Sequence, residues 1–134
     1  MKVSVVTPNY NGLKFLNNYF ETLLIQSRFI EEIILIDNAS TDGSIEFIEE
    51  FINSANYPID IVLIKNEDNL GFAPAVNQGI REAKCEYIYS VNNDGELEWN
   101  ALEEIIKAMD ESIELGENPF SIQSKVIQHY NRKL

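Results

Sequence analysis

Three polar clusters, each directly behind an apolar, β-prone run, hold the residue types able to do chemistry in this chain. Tyr87-Ile88-Tyr89-Ser90-Val91 runs into Asn92-Asn93-Asp94, Val3–Thr7 into Pro8-Asn9-Tyr10-Asn11-Gly12, and Ile33–Ile36 into Asp37-Asn38. A buried strand that ends on two amides and a carboxylate presents oxygen ligands at its tip. Asp94 is therefore suited to a hard divalent cation, which prefers oxygen and often bridges substrate phosphates. An Asn-Asp-Gly turn is the plain alternative. Asp37 is suited to accept hydrogen bonds from a base edge such as a pyrimidine imide N–H, or equally to cap the turn through Asn38–Ser40. The Tyr10 ring and the backbone beside Thr7–Asn9 are suited to flank a planar base. Asp42 reads first as a cap or loop former.

The elements that must position these clusters follow from hydrophobic spacing. Lys2–Thr7 reads as a buried strand stopped by Pro8. Leu13, Leu16, Tyr19/Phe20, Leu23 and Leu24 recur at helical spacing. A strand over Glu32–Ile36 follows, then a loop over Asp37–Ser44 with Thr41 and Asp42 as candidate caps. Ile45, Ile48 and Phe51/Ile52 mark a second helix, ended around Asn53–Pro58. Ile59–Ile64 is a third strand. After a polar Asn66–Leu70 and a break at Gly71, Ala73–Lys84 reads as a helix with Pro74 in its first turn. Tyr87–Val91 is a fourth strand. Glu98–Leu115 is the clearest amphipathic helix, stopped by Gly116, and Phe120–Ile127 reads as a fifth strand or an irregular segment.

Alternating strands and helices imply an α/β fold, three layers with a mainly parallel sheet and helices on both faces. In a doubly wound order such as 3-2-1-4 the winding reverses between the first and fourth strands, and ligands bind outside the carboxyl ends at that switch point. The three polar clusters converge there.

Composition narrows the function classes. A chain of 134 residues is expected to form one domain with a real core. The single Cys85 forms no internal disulfide, which fits a reducing compartment. No apolar run approaches a membrane span and the N-terminus lacks a signal-peptide pattern, so a cytoplasmic protein is expected. A net charge of −12 argues against nucleic acid as a partner. It also means that a phosphate-bearing ligand needs a divalent cation, helix N-termini or backbone amides to be held. Asp94 to Glu117 carries nine carboxylates against Lys107 alone, which reads as a solvated helix face. No Gly-x-Gly-x-x-Gly follows the first strand and no Gly-Lys-Ser/Thr is present, which disfavours a dinucleotide cofactor and a P-loop. The third strand's tip is Ile64-Lys65-Asn66, without the aspartate that a phosphate-accepting receiver needs.

Val5-Val6-Thr7-Pro8-Asn9-Tyr10-Asn11-Gly12, Ile36-Asp37-Asn38-Ala39-Ser40-Thr41-Asp42-Gly43-Ser44, Asn69-Leu70-Gly71-Phe72-Ala73 and Asn92-Asn93-Asp94 occur in this order. Together they resemble the N-terminal, donor-binding half of a family 2 glycosyltransferase with a GT-A, Rossmann-like fold, in the rhamnosyltransferase-like branch. The resemblance covers roughly residues 3–94, and Ser121–Ile127 is similar to the segment that follows in relatives. It implies a UDP- or dTDP-linked sugar donor and inverting, hexosyltransferase-type transfer to a glycan or lipid-linked acceptor, in cell-surface polysaccharide synthesis. It further implies that Thr7, Pro8, Asn9 and Tyr10 line the nucleoside pocket and that Asp37 contacts the pyrimidine. Asn69, Gly71 and Asn77 would shape the donor pocket. Asn92-Asn93-Asp94 stands where the family has an Asp-x-Asp motif, with Asp94 meeting Mg²⁺ or Mn²⁺. Pro74 stands where relatives often carry small residues.

An inverting transfer needs a general base near the acceptor hydroxyl. In the family this is an acid well downstream, in an acceptor-binding half. Glu96 and Glu98 directly follow the metal motif, and His129 reads as a surface residue. The chain is thus expected to be an incomplete GT-A domain, truncated before its base and inactive alone. The alternative is a non-catalytic nucleotide- or sugar-binding module that pairs with a partner chain. A missing half is expected to leave a sheet edge or apolar patch exposed, favouring homo-oligomers. Peripheral association of a longer parent with the inner face of the membrane is left open by the sequence.

Overall fold

A run of β-branched residues, Val3, Val5 and Val6, opens the chain and is buried almost completely. In the computed structural model it forms β1, Val3–Asn9. The structure describes residues 1–54 and 57–124. Its contacts group the chain into two compact units, Met1–Trp99 and Asn100–Leu134.

In the first unit α1 spans Leu13–Leu24, β2 Ile30–Asp37, α2 Ser44–Ser54, β3 Asp60–Lys65, α3 Phe72–Glu82 and β4 Ile88–Ser90. A 3-10 turn at Ser27–Phe29 precedes β2. The four strands are parallel, in the order β3-β2-β1-β4. This is the doubly wound order expected from the alternation, and the switch point lies between β1 and β4.

Strand β1 runs through Pro8 to Asn9, where the sequence suggested a stop. Asn9 pairs in register with Asp37. The direction of the ladder explains why proline is tolerated. Ser4 N–H donates to Tyr87 O (3.1 Å) and Val91 N–H donates to Val6 O (3.2 Å), so even-numbered residues of β1 bond toward β4. The next rung would need the N–H that Pro8 lacks, and β4 has already ended there.

Alternation along the strands sorts the helices onto two faces. Val6, Ile34 and Ile36 form a core cluster with Ala75 of α3. A Cβ added at Gly79, one turn on, would stand 2.5 Å from Val6 Cγ1 and 2.7 Å from Ile36 Cδ1. Glycine is thus what lets α3 approach the sheet so closely. On the other face Tyr19 of α1 donates its hydroxyl to Thr7 Oγ1 at 2.7 Å. Burial pushes that phenol well above its ordinary range, and the Thr7 hydrogen bond only partly opposes this. Phe20 of α1 stacks on Phe51 of α2 at 3.9 Å between centroids, and Phe51 on Tyr57 at 5.0 Å.

The loops leaving the carboxyl ends are tied across the sheet. Asp42 Oδ2 accepts the Leu13 N–H at the start of α1 (2.8 Å), while its Oδ1 accepts the N–H (3.0 Å) and hydroxyl of Ser44 at the start of α2. One carboxylate therefore caps two helices, whereas the sequence suggested a cap for the second helix alone. Thr41 is not a cap: its N–H donates to Asn11 Oδ1. At the opposite end of the sheet, the buried Glu32 accepts from Ser4 Oγ (2.7 Å) and from the Lys84 N–H (2.6 Å), fastening the α3–β4 connection.

In the second unit α4 spans Ala101–Glu114, shorter at its start than the periodicity of Glu98–Leu115 suggested. Gly116, at φ 76°, ends it as expected. Gly116 N–H bonds Ile113 O and Glu117 N–H bonds Ser112 O, a Schellman closure. Phe120–Ser124 carries no strand, and the remainder of the expected fifth strand lies outside the described residues, as does His129.

Candidate functional site

Parallel strands bring their carboxyl ends to the same edge of the sheet. Here β1, β2 and β4 deliver Asn9, Asp37 and the Asn92–Asp94 turn to the switch point. Asp37 is fully buried, and its oxygens accept from Ser40 N–H (2.8 Å), Ser40 Oγ (2.7 Å) and Asn9 Nδ2 (2.7 Å). Asn9 Oδ1 in turn accepts from Asn93 Nδ2. A chain of hydrogen bonds thus joins the tips of β2, β1 and β4. Gly12 makes room for it, because a Cβ there would overlap Asn93 Nδ2.

A second chain of amides fixes the start of α3. Asn38 N–H donates to Asn9 O, and Asn38 Nδ2 donates to Gly71 O at 3.1 Å. Asn38 Oδ1 accepts from Asn66 Nδ2, and Asn66 and Gln78 exchange amide hydrogen bonds of 2.8 and 2.9 Å. Gly71 takes φ 89°, which favours glycine, and its N–H donates to Asn69 Oδ1 (2.9 Å).

Between these chains lies an open cleft of about 350 Å³, lined by Pro8, Asn9, Tyr10, Asn38, Asn69, Gly71, Phe72, Asn92, Asn93 and Asp94. Its volume is at the lower end of the range for small-molecule sites. Among the described residues Asp94 is the only charged one on its wall, and it is exposed at a turn closed by Gly95 N–H to Asn92 O. Asn-Asp-Gly thus does form a turn, and that turn presents the carboxylate to the cleft.

The sequence-based site residues divide accordingly. Pro8, Asn9, Tyr10, Asn69, Gly71, Asn92, Asn93 and Asp94 meet in the cleft. Thr7 does not: it is buried beneath Tyr19. Asp37 stands behind the cleft, committed to Asn9 and Ser40 in the turn-capping arrangement. Asn77 is exposed on α3 and is not part of the wall, and Pro74 occupies the first turn of α3 outside it. Sequence reasoning missed Asn38 and Phe72 as wall residues. Their adjacency to Asp37 and to the break at Gly71 was the available signal.

The donor set bears on a metal. Among the described residues no group of three or more His, Cys, Asp and Glu side chains is arranged to hold an ion. A closed protein site of the zinc type therefore does not fit. A hard cation held by one carboxylate, with phosphate oxygens and water as its other ligands, does fit Asp94 and the acceptor oxygens beside it.

A parallel sheet with the order β3-β2-β1-β4, helices on both faces and a cleft at the switch point defines a Rossmann-like α/β domain with the GT-A fold. The profile of Glycosyl transferase family 2 matches residues 4–132, and the chain belongs to that family. It is 37% identical over 109 residues to the glycosyltransferase GlyG of Streptococcus pneumoniae, covering 81% of this chain and 35% of the relative. Among solved structures, S. aureus TarS 1–349 in complex with UDP superposes with a TM-score of 0.72 at 24% identity, over 84% of this chain and 33% of that one. The mannosyltransferase PcManGT of Pyrobaculum calidifontis, in complex with GDP-Man and Mn²⁺, gives 0.73 at 22% identity, over 79% and 31%. At these identities the two structures speak for the fold alone. The chain spans about a third of the length of these proteins. Among the described residues no helix is long and apolar enough to cross a membrane.

Proposed function

We propose that this chain is the donor-binding portion of an inverting glycosyltransferase, which holds a UDP- or dTDP-sugar together with Mg²⁺ or Mn²⁺ for transfer to an acceptor hydroxyl. The observation that carries this reading is the cleft itself. Three parallel strand tips and the start of α3 surround it with amides, two aromatic rings and one exposed carboxylate. Tyr10 and Pro8 flank the base, while Asn69 and Gly71 bound the nucleoside from the α3 side. Asp94, with Asn92 and Asn93 beside it, holds the cation. When bound, that cation offsets the diphosphate charge and stabilises the leaving group.

Electrostatics supports the cation. Among the described residues no Lys or Arg lines the cleft, and the chain carries a net charge of −12. A diphosphate brought to such a wall meets no fixed positive side chain among the described residues. The start of α3 at Gly71–Phe72 contributes only the partial charge of a helix N-terminus. Asp37 and Thr7 take positioning roles in this reading. Asp37 holds Asn9, and Thr7 accepts the Tyr19 hydroxyl. Placement in the rhamnosyltransferase-like branch, hexosyl transfer, a polysaccharide product and a cytoplasmic site of action belong to the same proposal and rest on motif order.

Titration calorimetry of the chain with UDP and dTDP, with and without Mn²⁺, tests the reading. Binding is expected only with Mn²⁺, and Asp94→Ala is expected to abolish the metal dependence while leaving the fold intact. Equal affinity with and without the metal would overturn the role of Asp94.

A further inference from the structure

Aromatic rings in this chain mostly have partners. Phe20, Phe47, Phe51 and Tyr57 stack together, Tyr19 packs on Phe20, and the Lys14 and Arg28 cations lie over Phe15 and Phe29. Tyr10 and Phe72 differ. They are 53% and 60% exposed, and among the described residues neither stacks on another ring or carries a cation. Both line the cleft, one from the loop after β1 and the other from the first position of α3. Trp99 and Phe120 are exposed as well, but neither belongs to its wall.

Exposed aromatic surface in a cleft is unfavourable in water unless a ligand covers it. The surrounding atoms indicate what kind of ligand. Asn9 and Asn38 have both ends of their amides committed to the hydrogen-bond chains. Asn69 uses its oxygen on Gly71 N–H, which leaves its Nδ2 to donate. A flat group with acceptor atoms on its edge matches two rings and a donor better than a tetrahedral group does.

We propose that Phe72 is the second wall of a base subsite, so that the nucleobase of a nucleoside diphosphate is bracketed by Phe72 and Tyr10. This rests on the nucleotide reading above. It also assigns a task to the Asn38–Asn66–Gln78 amides. By fixing Gly71 O they hold the start of α3, and with it Phe72, at the cleft.

The test uses calorimetry with two probes in the presence of Mn²⁺: UDP, and inorganic pyrophosphate, which lacks a base. A base–aromatic stack corresponds to roughly 5- to 150-fold in affinity. Phe72→Ala is expected to weaken UDP on the order of tenfold and to leave pyrophosphate unchanged. Phe72→Tyr is expected to retain UDP. Circular dichroism checks folding, which truncation of so exposed a side chain is expected to leave intact. UDP bound equally by Phe72→Ala and the wild type would overturn the second wall and leave the nucleotide reading standing. An equal loss for both probes would show that Phe72 acts on cleft shape, which also overturns the inference. A wild-type chain that binds pyrophosphate but not UDP would overturn the nucleotide reading and this inference together.

Discussion

Gly12→Ala separates the stability of the fold from the organisation of the cleft. Gly12 has φ −104° and ψ 14°, a conformation open to alanine, so backbone strain is not the issue. The issue is space. An added Cβ overlaps Asn93 Nδ2 and comes within 2.5 Å of Asn9 Oδ1. The Asn93 amide is the end of a half-buried side chain and is able to rotate away, whereas Asn9 is pinned by Asp37 and Ser40. The Asn93–Asn9 hydrogen bond is therefore the one that breaks. Its loss costs about 1 kcal/mol, because solvent in the cleft is able to replace the lost donor. For a unit of this size that corresponds to a fall in Tm of about 5 °C.

The larger effect is expected in binding, since the turn that carries Asp94 loses its tie to β1. Calorimetry with UDP and Mn²⁺ is expected to show on the order of tenfold weaker affinity, and thermal melts the modest shift just given. A double-mutant cycle with Asn93→Ala sharpens the assay. With the Asn93 amide already removed, Gly12→Ala has only the approach to Asn9 Oδ1 left to relieve, so the two losses are expected to fall short of additive. Fully additive effects, or wild-type affinity in folded Gly12→Ala, would refute the claim that Asn93 bonded to Asn9 organises the cleft.

Two further outcomes follow from the same geometry. Gly79→Ala removes a helix glycine, which alone would stabilise by about 1 kcal/mol. The close Val6 and Ile36 methyls impose an overpacking cost of roughly 1–3 kcal/mol, so urea denaturation is expected to show net destabilisation; a raised midpoint would contradict the packing. For Asp42, burial opposes ionisation, but hydrogen bonds from Ser44 Oγ and from the Leu13 and Ser44 N–H groups outweigh it and hold the carboxyl below its ordinary range. A depressed native pKa contributes stability above the unfolded value near pH 4, lost as pH falls through the native value. Wild-type melts are thus expected to drop more steeply than those of Asp42→Asn below pH 4, and parallel curves would show that Asp42 is not the group responsible.

The fold was legible because β-branched and aliphatic runs such as Ile33–Ile36 admit little but a buried strand, and the alternation with helices admits few orders. The stop at Pro8 was misjudged because whether a strand tolerates proline depends on where the neighbouring strand ends, and that is a tertiary fact. Asp42 was recognised as a cap, but its second helix lies 29 residues away in sequence and leaves no local signal. The cleft was legible in outline because strand tips converge wherever the winding reverses. Sequence does not reveal which polar atoms at those tips are consumed internally. Asp37 and Thr7 carry promising side chains, but the structure spends both on neighbours. Phe72 was passed over because the exposure of an aromatic side chain beside a helix start is a tertiary fact.

That division has a chemical consequence. The buried tips of β1 and β2 supply rigidity, with Asp37 and Asn9 saturating each other and leaving no formal charge facing the cleft from that side. Contact with a ligand falls to the exposed β4 turn, the start of α3 and Tyr10. Of these only Asp94 is charged, and its sign is wrong for a phosphate. A cleft so built is nearly neutral toward a base and repulsive toward a bare diphosphate. In the proposed reading, the same wall would become attractive once a divalent cation held at Asp94 offset the carboxylate's charge. Tying the β4 turn to the rigid tips through Asn93 keeps that one carboxylate at a fixed depth relative to the aromatic rings. If the proposed base subsite and cation site hold, the spacing between them would be set by hydrogen bonds inside the protein before any ligand arrives.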